Sequence, residues 1–323
     1  MSTLICAPKE SDTSSKTELR QSKSNELNWV FFVVIATFHL GAFAALFCFR
    51  WSSLLIFLAM WILSQNVGVA VSYHRQLTHR GFTTPKWLEH AMAICGAMAL
   101  QGSPTYWVAV HRMHHQFTDK PGDPHSPRDG KWWSHMGWIM RGALHNETAM
   151  ISRYAPDLHR DRFYRWLAVW HWTPITFTGI ALFVCGAAFG GWMLGISWLL
   201  WGVLLRVAIG FHVTWLVNSA THLWGSRRFN TQDDSTNNWW VAWLTGGEGW
   251  HNNHHAHPVS ATHGMTWWEF DFNFWLIRML ALLGLAKDIK LAGKKPALRA
   301  NPSSQRLSLG QAASAETREQ NPA

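Results

Sequence analysis

Three clusters of histidine are the residues in this sequence whose types and spacing are best suited to chemistry. They are His74-Arg-Gln-Leu-Thr-His79, His111-Arg-Met-His114-His115 and His251-Asn-Asn-His254-His255. Residues three and four positions apart share one face of a helix, so the second and third clusters can each direct several imidazoles to one point. Because histidine is the commonest metal ligand, the sequence predicts a metal centre.

A ninth candidate ligand, His222, lies four residues after Asn218, and a helix places both side chains on one face. Eight or nine imidazoles exceed the four ligands of a typical zinc site and fit two ions of higher coordination, for which iron is the best match. We interpret the scattered histidines as packing residues; these are His39, His90, His145, His159, His171 and His212.

Neutral imidazole ligands need acceptors that orient their rings. The acidic residues near the clusters are Asp119, Asp123, Asp129 and Glu248. These four are candidates for that role, and helix capping or turn formation is the alternative.

Long apolar segments indicate that the elements holding the clusters cross a membrane. Hydrophobic residues make up 48% of the 323 residues and charged residues 15%, and 23 residues are Trp, which gathers at membrane interfaces. Segments 28–49, 51–73, 166–188 and 191–217 each have about the 20 residues that a bilayer requires. The segment 87–100 is shorter and contains Glu89 and His90, so we predict an interfacial or buried helix there.

The predicted fold is therefore an all-α integral membrane protein with four transmembrane helices in two hairpins and a helical cap that holds the metals. With four spans, all histidine clusters and both termini lie on one side, and Lys and Arg concentrate there, which identifies it as cytoplasmic. We expect a polar cytosolic tail at 1–27, the membrane and cap domain at 28–285, and a basic, mostly disordered tail at 286–323. Arg206 is expected to extend to the lipid headgroups as an interfacial anchor.

The net charge of +9 has three interpretations: cytoplasmic flanks, contact with anionic lipid, or docking of an acidic partner. Nucleic-acid binding is not expected. The four cysteines are scattered without a CxxC pair, so neither a disulfide framework nor a cysteine metal site is predicted.

Longer stretches around the histidines resemble the membrane fatty acid desaturases, in particular the Δ9 group, similar to stearoyl-CoA desaturase, that acts on acyl-CoA or acyl-lipid. The stretches are HRQLTHR at 74–80, HRMHHQFTDKPGDPHSPRDGKWWSHMGW at 111–138, TWLVNSATH at 214–222 and GEGWHNNHH at 247–255. The resemblance covers about residues 28–292. It implies two iron ions held by His74, His79, His111, His114, His115, His222, His251, His254 and His255, with Asn218 contacting one iron through water.

The resemblance also implies a tunnel whose bend decides where the double bond forms. Gln101, Trp107 and Thr214 match positions at that bend. On the second span, Asn66 and Ile62 are expected in the deep wall, and Ile62 to limit the length of the acyl tail. The implied reaction uses O2 and two electrons to remove two hydrogens from neighbouring methylene carbons.

Reducing electrons are expected from a separate carrier, of the ferredoxin or cytochrome b5 type, because the sequence has neither an HPGG haem segment nor a cysteine cluster motif. Basic residues at 287–299 could attract an acidic carrier or contact lipid headgroups. The alternatives are a hydroxylase or acetylenase that uses the same centre, and a non-catalytic metal-binding or transport protein, which would place its ligands along the spans at bilayer depth. The acyl carrier and the chain length remain open at this point.

Overall fold

The computed structural model describes residues 22–23, 26–143 and 147–293, and within them the chain is almost entirely helical. The helices are α1 (Trp29–Ala45), α2 (Trp51–Thr78), α3 (Lys86–Ala97), α4 (Pro104–Phe117), α5 (Trp138–Arg141), α6 (Glu147–Tyr154), α7 (Pro156–Arg160), α8 (Arg162–Trp170), α9 (Thr173–Gly190), α10 (Trp192–His222), α11 (Trp239–Thr245), α12 (His251–Ala256) and α13 (Phe272–Leu282). Two short helical turns, Pro127–Asp129 and Trp133–Gly137, precede α5. Strand β1 (Ser22–Lys23) pairs antiparallel with β2 (Gly142–Ala143). The prediction of a helical fold is confirmed.

Three helices, α2, α9 and α10, are long and apolar enough to cross a membrane. Helix α1 is also apolar but has 17 residues. The third predicted span, 166–188, begins later than expected: α8 ends at Trp170 and α9 starts at Thr173, with Pro174 in its first turn, where the missing N–H costs no hydrogen bond. Segment 87–100 is not among the candidate spans, in agreement with its interpretation as a buried or interfacial helix.

Glycines allow the long helices to pack closely. A Cβ atom on Gly68 of α2 would lie 2.3 Å from the backbone nitrogen of Gly96 in α3, and one on Gly186 of α9 would lie 2.8 Å from the Cα of Gly195 in α10. Between α9 and α10 the chain turns at Gly191, whose φ of 81° lies in the left-handed region that favours glycine. These contacts fix α3 against α2 and join α9 to α10 as a hairpin.

Helix α2 widens as it approaches the first histidine cluster. It is α-helical to Trp61 and π-helical from Ile62 to Thr78, and the N–H of His79 then donates to the carbonyl of His74, 3.1 Å away. Such wide turns are often found at functional sites. Helix α10 also changes geometry, and its last three residues, Ala220–His222, form a tighter 3-10 turn.

The prediction that Arg206 reaches the lipid headgroups is wrong. Its side chain is 0% exposed. The guanidinium donates to the Met98 carbonyl at 2.7 Å, to the Ser64 hydroxyl at 3.1 Å and to the Gly202 carbonyl at 3.1 Å. Arg206 therefore ties α10 to α2 and α3, because these acceptors inside the bundle take the place of water.

The described part of the predicted basic tail, 286–293, returns to the end of α2. Lys287 and Thr83 exchange two backbone hydrogen bonds of 2.9 Å, and the N–H of Lys290 donates to the Gly81 carbonyl at 2.8 Å. The remainder of that tail and most of the predicted tail at 1–27 lie outside the described residues.

Candidate metal centre

Four elements carry the histidine clusters to one place: the end of α2, the second half of α4, the end of α10 and α12. The start of α4 is fixed by Ser103, whose hydroxyl accepts from the N–H of Tyr106, and by Pro104 in the first turn. Ahead of α12, Gly246 and Gly247 have φ values of 71° and 128°, which turn the chain so that the next helix faces the other three elements.

All nine histidines predicted as ligands meet in two adjacent groups. The five-histidine group consists of His74, His79, His111, His115 and His254, and the four-histidine group of His114, His222, His251 and His255. Within each group the candidate ligand atoms lie within 4.8 Å of one another. The groups adjoin where the rings of His115 and His255 stack, with centroids 4.6 Å apart.

The Nε2 atoms point into each group at a spacing that suits a metal. In the five-histidine group, His254 Nε2 lies 3.2 Å from that of His74 and 3.0 Å from that of His115. In the four-histidine group, His251 Nε2 lies 3.0 Å from those of His222 and His255. Neighbouring ligands at right angles on an ion with bonds of about 2.1 Å have nitrogens about 3.0 Å apart. The donor set therefore fits a pair of metal ions.

Four of these imidazoles have a carboxylate on their outer nitrogen. His74 Nδ1 lies 2.5 Å from Glu248, and His114 Nδ1 lies 2.9 Å from Asp123. His222 Nδ1 lies 2.9 Å from Asp119, and His255 Nδ1 lies 3.1 Å from Asp233. Such pairs fix the ring and strengthen its inner nitrogen as a ligand. Of the predicted acceptors, Asp119, Asp123 and Glu248 are thus placed on ligands, whereas Asp129 is exposed in the Pro127–Asp129 turn.

Burial keeps most of the ligands neutral at physiological pH. Burial, and then repulsion from neighbouring imidazoles, holds the pKa of His111, His115, His251 and His254 well below the usual value. For Asp119, burial alone raises the pKa, but the hydrogen bond and charge of His222 outweigh it, and the pKa falls to about 2. Neutral imidazoles beside ionised carboxylates are the protonation states that a cation requires.

Sequence reasoning missed three residues beside the ligands: the buried His125 and His263 and the partly buried Asp233. The ring of His125 lies 4.3 Å from that of His114, and the ring of His263 lies 4.4 Å from that of His254, between centroids. The DPH stretch at 123–125 was a usable signal for His125, since it places a histidine two residues after a carboxylate. No local pattern marks Asp233 or His263, which come to the centre through tertiary folding.

A buried network of polar side chains supports His74. Arg75 donates from Nε and Nη2 to Glu248 Oε1, at 3.0 and 2.7 Å, and from Nη1 to Asp271. Asn273 also donates to Glu248 Oε1 at 2.9 Å, and Asn66 donates to Asn273 Oδ1 at 2.8 Å. Asn66 is therefore bound to the network that holds Glu248.

A cavity of about 690 Å³ extends from the metal centre along α4 and α10. Its lining includes three residues from the centre, His111, His125 and Asn218, and three predicted at a tunnel bend, Gln101, Trp107 and Thr214. Gln101 donates to Thr214 Oγ1 at 2.8 Å and to Gln65 Oε1 at 3.2 Å. Neither Ile62 nor Asn66 is among the lining residues, so their predicted role in the deep wall stays a prediction.

The histidines interpreted as packing residues stay outside the two groups. His39 Nε2 lies 2.9 Å from His212 Nε2, and His90 stacks on Phe163 with ring centroids 3.8 Å apart. His171 lines the cavity described above, and His159 lies in α7. His145 lies outside the described residues.

Comparison with known proteins agrees with the geometry. The model of the fatty acid desaturase family matches residues 49–282. The chain is 42% identical over 277 residues to an sn-1 stearoyl-lipid 9-desaturase of Anabaena variabilis, covering 85% of this chain and 98% of that protein. It is 42% identical to the chloroplastic palmitoyl-monogalactosyldiacylglycerol delta-7 desaturase of Arabidopsis thaliana, covering 80% and 67% of the two chains. It is 39% identical to an acyl-CoA C20 Delta5-desaturase of Anemone leveillei, covering 88% of each. The chain belongs to the fatty acid desaturase family.

Proposed function

We propose that this fatty-acyl desaturase uses two iron ions and O2 to insert a cis double bond at the Δ9 position of a saturated acyl chain. The observation that carries the proposal is the cavity of about 690 Å³, whose mostly apolar lining includes His111, His125 and Asn218 at the two histidine groups. Relatives named as 9-desaturases support the position of the bond.

The reaction balances as one –CH2–CH2– unit, O2, two electrons and two protons giving –CH=CH– and two water molecules. When bound, iron supplies the oxidising power needed to break unactivated C–H bonds. The nine histidines would hold the iron, and Asn218, on the cavity wall four residues before His222, would act through water. The protein otherwise positions the acyl chain and keeps bulk water away.

The position of the double bond would depend on a polar cluster in the cavity wall. Gln101 bridges Thr214 on α10 and Gln65 on α2, while the Trp107 ring stacks on His111 with centroids 5.0 Å apart. An acyl chain that passes these residues has a fixed carbon next to the metals. Such contacts would allow the protein to select one methylene pair among the many similar ones of an acyl chain.

We propose four membrane spans, with α1 joining α2, α9 and α10, and both termini and the metal centre on the cytoplasmic side. In this arrangement α13 would lie near the cytoplasmic boundary, held against α2 by the hydrogen bond that Asn66 donates to Asn273. Beside it the surface is rich in large apolar side chains, including Trp243, Trp275 and Leu282. Tryptophan and leucine exposed at this depth suit the lipid interface.

The substrate class is an acyl-lipid or acyl-CoA, and the electrons would come from a separate carrier of the ferredoxin or cytochrome b5 type. An acidic carrier would be attracted to the basic cytoplasmic face of a chain with a net charge of +9.

Gas chromatography with localisation of double bonds tests the proposal, on lipids from a host that expresses the intact chain or His114→Ala. We expect a new Δ9 monounsaturated acyl chain with the intact protein and none with His114→Ala. A hydroxylated or acetylenic product would identify one of the two related activities instead, and identical lipid profiles would reject the enzyme activity.

A further inference from the structure

The carboxylates around the centre are distributed unequally between the two metal positions. In the four-histidine group, His114, His222 and His255 each have an aspartate on Nδ1, within 3.1 Å. In the five-histidine group, the described structure gives such a partner to His74 alone, through Glu248. The four-histidine group thus has three carboxylates on its ligands, and the five-histidine group has one.

The negative charge of Glu248 is also partly neutralised by a neighbouring cation. Glu248 forms an ion pair with Arg75 of 2.7 Å, and Asp271 occupies the other edge of the same guanidinium, 2.9 Å away. The three aspartates are instead held mainly by neutral donors. Asp123 accepts from the backbone N–H groups of Asp119 and His125, at 2.8 and 3.1 Å.

The other two aspartates have neutral partners of the same kind. Asp119 accepts from the hydroxyl of Ser126 at 3.0 Å and the N–H of Asp234 at 2.8 Å, and Asp233 accepts from the side chains of Thr231 and Ser235. Neutral donors hold a carboxylate in place without cancelling its charge. More negative charge therefore surrounds the four-histidine group.

We infer that the two metal positions are inequivalent, and that the four-histidine group retains its ion more tightly than the five-histidine group. An acceptor on the outer nitrogen of a histidine makes the inner nitrogen a better donor, and removing one such partner typically weakens metal binding about 10- to 100-fold. The two additional carboxylates of the four-histidine group therefore strengthen metal binding more than the one additional imidazole of the five-histidine group does. Asp119, Asp123 and Asp233 are positioning residues for one ion, and Glu248, held by Arg75, is the positioning residue for the other.

This inference rests on the proposed two-iron function, and it is tested by counting metal rather than product. The purified, iron-loaded protein is mixed with an excess of a ferrous chelator, and the iron that remains bound is measured over time. We expect one iron per chain to leave at least about ten times more slowly than the other. Loss of both irons in a single phase would overturn the inference.

Neighbouring aspartates provide a matched pair of variants. Asp233 contacts a ligand, whereas the side chain of Asp234 pairs with Arg128 at 2.6 Å. We expect Asp233→Asn to accelerate the slow phase about 10- to 100-fold, and Asp234→Asn to leave both phases unchanged. Glu248→Gln is expected to accelerate the fast phase only.

A variant that fails to fold is recognised by size-exclusion chromatography and circular dichroism, and Asp123→Asn then replaces Asp233→Asn. If Asp233→Asn and Glu248→Gln accelerate the same phase, the two positions are not distinguished as inferred. A protein with two phases of iron loss and no desaturated product would reject the proposed function and leave the inequivalence standing. A desaturase that loses both irons in one phase would support the proposed function and reject the inequivalence of the two metal positions.

Discussion

At the scale of single residues, the spacing of the histidines was sufficient to identify the eight in the three clusters, and His222 was added from its position four residues after Asn218 and from the family resemblance. Positions three and four apart in α4 and α12 are local properties of a helix, so they can be read from the sequence. Asp233 and His263 could not be identified in this way, because the loop after α10 and the segment after α12 reach the centre only in the folded chain. The role of Arg206 was mistaken for the same reason, since its acceptors belong to other helices.

The lowered pKa values of the buried histidines predict that the metal-free protein is sensitive to acid. Unfolded histidines bind protons below pH about 6.5, whereas His111, His115, His251 and His254 in the folded state do not until much lower pH, so stability falls as the pH falls through that window. Each of these four histidines lowers the free energy of unfolding by up to about 1.4 kcal/mol for each pH unit below about 6.5. His114 has the opposite effect. Burial lowers its pKa, but the neighbouring Asp123 raises it by more, so protonation of His114 stabilises the folded state as the pH falls.

Thermal unfolding of the metal-free chain at pH 7.5 and pH 5.5 measures this effect. We expect the midpoint to be lower at pH 5.5 by several degrees, since about 1 kcal/mol corresponds to about 2–4 °C in a chain of this size. A midpoint that is unchanged or higher at pH 5.5 would contradict the assignment of neutral, buried ligands.

The contact between Gln101 and Thr214 predicts control over the position of the double bond. Thr214→Val removes the hydroxyl that Gln101 reaches at 2.8 Å while keeping the shape of the side chain. A hydrogen bond of this kind contributes about 1 kcal/mol, which corresponds to about a fivefold loss of positional selectivity. Double-bond localisation in the products measures it, with Thr221→Val, outside the cavity lining, as the control. Unchanged selectivity in Thr214→Val would show that this contact does not place the acyl chain.

At the scale of elements, apolar length indicated the long helices, and packing decided their boundaries. The sequence placed α2 and α10 correctly as long apolar helices that end at histidines. It did not reveal the π-helical turns of α2 or the break between α8 and α9, because those depend on how neighbouring helices press against them. The close approach of Gly68 to Gly96 was likewise not predicted, because it joins two different helices.

The α9–α10 hairpin provides a test at this scale. Gly186→Leu would force a side chain against the backbone of Gly195, where even a Cβ would lie 2.8 Å from the Cα. Overpacking of this kind costs about 1–3 kcal/mol. In a thermal-stability assay in detergent we expect Gly186→Leu to unfold at lower temperature, and Ala188→Leu, on the exposed side of the same helix, to match the parent protein. Equal stability of the two variants would refute the close contact of α9 and α10.

At the scale of the whole molecule, the proposed membrane arrangement rests on one requirement: histidines from four elements must meet on one side. Among the described residues three helices have the length and composition of a membrane span, and α1, with 17 residues, is the one whose crossing must be tested. The sequence asymmetry of Lys and Arg predicts the side of the membrane on which the histidines lie.

Labelling with a membrane-impermeant maleimide tests this arrangement. In a variant without native cysteines, Trp192→Cys, at the turn between α9 and α10, is expected to react from the outside of sealed, correctly oriented vesicles. Lys120→Cys, exposed beyond the end of α4, is expected to react only after the membrane is permeabilised. Labelling of both positions from the same side would exclude the four-span topology.

The central claim is that the nine histidines hold two irons that oxidise an acyl chain in the adjoining cavity. The most direct measurement is a single turnover by the purified protein: iron per chain is counted, the centre is reduced without O2, and O2 is then admitted in the presence of a saturated acyl substrate. We predict two irons per chain and at most one new double bond per chain, with none formed when iron is replaced by zinc. Formation of the double bond by the zinc-substituted protein, or recovery of the saturated substrate from the fully iron-loaded protein, would contradict the account.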